Sequence, residues 1–118
     1  MTHFFVRQGR AYERVEVADI LYLESSKNYC KIWLAQRYVF VPLSLKQMES
    51  QLPTGEFIRI HRAYLISLRH LKAFNFDKAW VEDKELPIGE GRLAELKQVV
   101  SILQAQPAGT GKEEVGKV

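Results

Sequence analysis

Phe57-Ile58-Arg59-Ile60-His61-Arg62-Ala63-Tyr64-Leu65-Ile66-Ser67-Leu68 reads as two short runs of β-branched and aromatic residues, Phe57 to Ile60 and Tyr64 to Leu68, interrupted by His61-Arg62-Ala63. Such residues suit a pleated, half-buried surface, so the stretch predicts two strands and a connection. The same pattern continues downstream through Leu71 to Phe76, Ala79 to Glu82 and Glu85 to Ile88, with hairpin turns at Asp77-Lys78 and Asp83-Lys84. Gly89-Glu90-Gly91 then breaks the last strand. Leu93, Leu96, Val99, Val100 and Leu103 trace one face of a closing helix from about Arg92 to Leu103.

Upstream of the quoted stretch, Thr54-Gly55 is a turn, and before it the apolar period changes. Leu45, Met48 and Leu52 recur at helical spacing, Ser44 is placed as an N-cap with Gln47 completing a capping box, and Pro53 stops the element. Met48 is read there as core filler. Further back, Phe4 to Arg7 and Tyr12 to Val17 are opening strands joined by Gln8-Gly9-Arg10. Asp19 to Glu24, Tyr29 to Leu34 and Tyr38 to Val41 follow, joined by the polar loop Ser25-Ser26-Lys27-Asn28 and by Ala35-Gln36-Arg37. From Gln106 to Val118 there is little to bury, so a disordered tail over residues 105–118 is expected behind one domain spanning residues 1–104.

The 118 residues, 47% hydrophobic and 26% charged, are enough for one domain with its own core. The single cysteine, Cys30, rules out an intrachain disulfide and fits a reducing compartment. No apolar run approaches the length that spans a bilayer and no signal-peptide core is visible, so a cytoplasmic protein with no membrane partner is expected. The formal charge of +3 is concentrated locally: residues 57–72 carry Arg59, Arg62, Arg69 and Lys72 and no acid. Phe57, His61, Tyr64 and His70 are interleaved with them, a mixture suited to phosphates and base edges, although a solvated strand face would read the same way.

Catalytic patterns are missing. There is no nucleophile with an adjacent base, no spacing of metal ligands, and Gly89-Glu90-Gly91 lacks the third glycine and the context of a dinucleotide-binding turn. Neither an enzyme nor a cofactor is expected.

Three stretches in order resemble the LytTR-type DNA-binding domain of bacterial response regulators. Asp19 to Tyr29 is similar to the family's first strand and following loop, Phe57 to Leu68 to its central block, and Leu86-Pro87-Ile88-Gly89-Glu90-Gly91 to its final strand and turn, where a Ser-Arg pair is common instead of Gly-Glu. The resemblance covers roughly residues 4–103. It implies a mainly β fold, an elongated antiparallel β sandwich of about ten short strands with a short internal helix and a C-terminal helix. It also implies sequence-specific binding of double-stranded DNA by a transcriptional regulator whose inter-strand loops enter the major groove. Repeated half-sites, a homodimer on DNA, and a receiver domain or histidine-kinase pathway upstream are implied with it.

Carried onto this chain, the family's DNA contacts fall on Lys27, Asn28, Tyr29, Cys30 and Lys31, on His61 and Arg62, and on Glu90, Gly91 and Arg92. Arg62 and Asn28 have the bidentate geometry that reads guanine and adenine, each worth about 1 to 3 kcal/mol of discrimination. Lys27, Lys31 and Arg92 suit phosphates, which add affinity without sequence information. Asn28 has a second reading as a turn former, and His61 one as a ring that satisfies a buried carbonyl. Arg59 and Tyr64, by alternation, read first as fold residues. Ala63 and Ser67 stand where the family commonly has Ser and Asn, and Glu90 stands where Arg is frequent and would repel phosphate.

Two other functions fit parts of the pattern. A small β barrel binding single-stranded nucleic acid would stack bases on Tyr12, Tyr29, Trp33 or Trp80, and a protein-interaction module would pair a partner strand with an open sheet edge.

Overall fold

A computed structural model describes residues 1–104, so the expected tail lies outside the described residues. The chain opens with a hairpin of β1 (His3–Gln8) and β2 (Ala11–Glu16), whose turn uses Gly9 at φ +62°, a left-handed conformation that costs glycine little. Then come β3 (Tyr22–Ser26), β4 (Tyr29–Trp33), β5 (Tyr38–Val41), α1 (Leu45–Gln51), β6 (Phe57–His61) and β7 (Tyr64–Ser67). Next follow β8 (Leu71–Phe74), β9 (Lys78–Val81), β10 (Lys84–Pro87) and α2 (Arg92–Val99). β3 to β7 form one antiparallel sheet in the order β5-β4-β3-β7-β6, and β8 to β10 form a second, in sequence order.

Strict alternation makes the five-stranded sheet the middle layer. Leu23, Cys30, Ile32, Val39 and Leu65 point to one face, where the β1–β2 hairpin and α1 cover them with Val6, Val15, Leu45 and Met48. Tyr22 and Ile66, one residue away on the same strands, point to the other face, where Ala79, Val81, Leu86 and Leu96 of β9, β10 and α2 close a second core. The register places Leu23 opposite Leu65 and Tyr22 opposite Ile66, so neighbouring residues feed different cores. Two cores on opposite faces give an elongated body measuring 64 × 26 × 24 Å. The expected mainly β, antiparallel, layered architecture is therefore the one observed, with ten strands and two helices among the described residues. No helix among the described residues is long and apolar enough to cross a membrane.

The capping box at α1 forms as expected. The Gln47 amide donates to Ser44 Oγ at 3.1 Å and the Ser44 amide donates to Gln47 Oε1 at 2.8 Å. Ser44→Ala should therefore cost about 0.5 to 2 kcal/mol, read as a fall in thermal midpoint, and leave any DNA sequence preference unchanged. A shifted preference would put α1 in the reading surface.

Several boundaries differ from expectation. Asp19 to Leu21 is not strand: residues Val17–Asp19 make a single 3-10 turn that swings the chain from the hairpin into the middle sheet, with the Ile20 amide donating to the Val17 carbonyl at 3.2 Å. β8 stops at Phe74 because Asn75 Oδ1 accepts from the amides of Asp77 and Lys78, a local turn that competes with the strand. α2 ends at Val99 rather than Leu103, and Val100 is extended. The β-branched pair Val99-Val100 followed by Ser101 and Ile102 is a poor helix former, and Val99 and Leu103 are exposed rather than on the packed face.

Candidate nucleic-acid interface

Hydrogen bonds between distant segments tie three connections together. The β3–β4 connection contracts to Lys27-Asn28, because Ser25 and Ser26 continue the strand opposite Cys30 and Tyr29. Lys27 turns the chain at φ +58°, which strains a side-chain-bearing residue. The Ser25 amide then donates to the Ala63 carbonyl at 2.9 Å, tying this turn to His61-Arg62-Ala63 between β6 and β7. The Gly89 amide donates to the Ile60 carbonyl at 2.7 Å, which ties in the β10–α2 connection.

His61, Arg62, Gly89, Glu90 and Arg92 line one hollow of about 280 Å³. His61 reaches it because β6 carries a bulge between Arg59 and His61. A bulge inserts one extra residue and re-aims the side chain after it. His61 then stands opposite Tyr64, with ring centroids 5.6 Å apart. Its Nδ1 accepts the Ala63 amide at 3.0 Å, so the ring proton is on Nε2. Burial, then Arg62, Arg59 and Arg92, hold its pKa below the ordinary histidine value. Near neutral pH the ring is thus an uncharged group with one fixed N–H donor, and it takes an amide within its own turn instead of serving a buried carbonyl.

Gly89 passes close to this ring. A Cβ there would stand 3.5 Å from His61 Cα and 3.6 Å from Arg92 Cγ, which is ordinary contact, so a serine fits at this position. Gly91 precedes α2 at φ +80°, where glycine is favoured, and Arg92 pairs with Glu95 at 3.4 Å across the first turn. The surface can therefore offer acidic groups a set of N–H donors on three rigidly tied turns, with guanidinium groups at its rim.

The family model of the LytTr DNA-binding domain matches residues 10–101. This chain belongs to that family. The LytTr domain is 31% identical over 101 residues to the CO-responsive transcriptional regulator RcoM of Rhodospirillum rubrum, covering 80% of this chain and 43% of that protein. It is 20% identical over 93 residues to the transcriptional regulatory protein YpdB of Escherichia coli, covering 73% and 38%. The chain thus spans less than half the length of these curated relatives. A solved LytTr DNA-binding domain from Bacillus cereus shares the fold, with a TM-score of 0.73 at 18% identity over 84% of this chain and 96% of that one.

The fold sorts the residues singled out from sequence. Lys27, Asn28 and Tyr29 are exposed at the tip of the β3–β4 hairpin, and Arg62, Glu90 and Gly91 are exposed on the other two turns. Lys31 lies on the sheet face behind the tip, its ammonium 4.9 Å from the Tyr38 ring and 6.0 Å from that of Phe40.

Cys30 is a correction. Its side chain is wholly buried in the first core, and burial pushes its thiol up to about 11, so it cannot touch a ligand outside. Alternation on β4 carried that signal, because Cys30 shares parity with Ile32, also wholly buried. Trp33, one of the stacking platforms of the single-stranded reading, is half-buried: its ring stacks on Tyr22 at 5.9 Å and its Nε1 donates to Glu24 at 2.9 Å. The residue that sequence reasoning undervalued is Arg59, whose guanidinium reaches into the turn carrying Arg62.

Proposed function

We propose that this LytTr domain reads duplex DNA sequence for a bacterial transcriptional regulator, placing the tips around Lys27-Asn28, His61-Arg62 and Glu90-Gly91-Arg92 in or beside the major groove. The observation that carries this reading is the convergence of three turns distant in sequence: two line a hollow edged by Arg62 and Arg92, and the Ser25–Ala63 hydrogen bond ties the third to them. Arg62 and Asn28 read bases, and His61 supplies a single fixed donor. Lys27, Lys31 and Arg92 hold phosphates, and Tyr29 meets the DNA from the tip of the β3–β4 hairpin. Glu90 turns away from phosphate or accepts from a cytosine amino group.

The domain works by binding and not by catalysis, and a protein acting on bacterial DNA works in the cytoplasm. One module of this size contacts too few base pairs for a unique site, so repeated half-sites and a homodimer on DNA belong to the proposal. A receiver domain or histidine-kinase pathway supplies the signal. The single-stranded alternative is disfavoured by the match to the LytTr DNA-binding domain and to transcriptional regulators; of its aromatic groups, Tyr12 lies by the groove between the first hairpin and α1, while Tyr29 and Trp33 share the opposite face of the middle sheet with Tyr38 and Phe40.

In vitro selection of bound duplexes from a random pool tests the reading. A recovered motif occurring as a spaced pair is expected, and a pool without sequence enrichment would overturn it. Lys27→Ala should then weaken binding to all duplexes alike and flatten the slope of log affinity against log salt by about one. An unaltered slope would remove Lys27 from the phosphate contacts.

A further inference from the structure

On a regular strand Arg59 and His61 would share a face. The bulge between them separates the two: His61 goes to the hollow beside Gly89, while Arg59 goes to the side covered by α1. There its guanidinium makes three contacts. Nε donates to the His61 carbonyl at 3.0 Å, Nη2 donates to the Arg62 carbonyl at 2.7 Å, and Nη1 pairs with Glu49 Oε1 of α1 at 3.1 Å. The Arg59 side chain is only 20% exposed, so these bonds are partly shielded from competing water.

We propose that Arg59, anchored by Glu49, is the positioning residue of the reading turn, fixing the peptide planes from which the Arg62 side chain departs and thereby setting sequence specificity without touching a base. The proposal rests on the reading that this turn meets DNA. The chemistry favours arginine. A planar guanidinium presents its donors in a fixed fork, so holding two carbonyls and a carboxylate at once fixes their relative orientation. An ammonium group on a flexible stem keeps the charge but not that geometry. A turn held in its bound conformation before contact loses less entropy on binding, and a turn free to rotate presents Arg62 in many directions.

The test compares Arg59→Lys, Arg59→Gln and Glu49→Gln with wild type on a selected duplex and a scrambled duplex at several salt concentrations. Melting curves and amide exchange at Ala63 accompany the titrations. Arg59→Lys should lose about tenfold on the selected duplex, keep its affinity and salt slope on the scrambled one, and speed exchange at Ala63. Arg59→Gln should lose at least as much on the selected duplex.

Glu49→Gln is the discriminating variant, because its two expectations have opposite signs. Removing an acid should strengthen binding to every duplex if the strap does nothing, whereas loosening the strap should weaken binding to the selected duplex alone. It also serves if the Arg59 variants melt too low to assay. An unchanged ratio of selected to scrambled affinity in Arg59→Lys, or tighter binding to both duplexes by Glu49→Gln, would overturn the proposal. If wild type itself fails to discriminate, the DNA reading fails instead, and the strap is judged by exchange: unaltered protection of Ala63 in Arg59→Lys overturns it.

Discussion

Arg62→Lys should bind the selected duplex about 5- to 150-fold more weakly than wild type, a loss of about 1 to 3 kcal/mol, while melting at the same temperature. The argument starts from the position. Arg62 is exposed at the apex of the β6–β7 turn, and its own carbonyl is held by Arg59 at 2.7 Å, so its side chain is free to reach outward from a fixed base. A guanidinium can donate two parallel hydrogen bonds to the O6 and N7 of guanine, and lysine keeps only the charge. Affinity for a scrambled duplex, which depends on charge, should stay within about twofold. Titrations against both duplexes across salt decide the matter. Equal losses on the two would reassign Arg62 to the phosphate backbone, and a large fall in melting temperature would make it structural.

Leu65→Ala should cost about 2 to 5 kcal/mol, the largest effect on stability expected from a single truncation here. Leu65 is wholly buried on β7, an inner strand of the middle sheet, directly opposite Leu23, and belongs to the core that α1 and the first hairpin close. Removing its isobutyl group leaves a cavity between parts that cannot collapse onto it without breaking the pairing of β3 with β7. A small domain has only about 5 to 15 kcal/mol in total, so the thermal midpoint should fall by more than about 10 °C. Denaturant unfolding should show a lower midpoint with an unchanged slope. A midpoint within a few degrees of wild type would contradict the packing described. The two variants also separate stability from recognition: Leu65→Ala should bind with wild-type discrimination wherever it is folded, and Arg62→Lys should fold with altered discrimination.

Much of this architecture is legible in local sequence because it is local in origin. Val39 and Val41 alternate with Tyr38 and Phe40, and that period alone says which face of β5 is buried. Ser44 and Gln47 satisfy each other's amides across one helical turn, so the start of α1 is written in four residues. Gly9 and Gly91 mark sites of positive φ. The motif around His61-Arg62 also located the turn that faces the hollow.

Apolar spacing overextends the helix after Gly91, since Val99 and Leu103 keep the period while lying exposed. The motif position of Cys30 points to DNA, but strand parity turns its side chain inward.

What the sequence by itself determined is therefore the set of elements, their buried faces and the turn chemistry, all of which depend on residues within a few positions of one another. What only the tertiary structure decided is the site. The bulge at β6 exists only in its pairing with β7, and it sends His61 toward Gly89, while Arg59, still in register with Leu65, keeps the side of α1 and Glu49. Residues near positions 27, 62 and 90 meet because β3 pairs with β7 and the Gly89 amide finds the Ile60 carbonyl. Hydrogen bonds between segments far apart in the chain follow from strand order, and strand order is settled only when two separate cores close on opposite faces of one sheet.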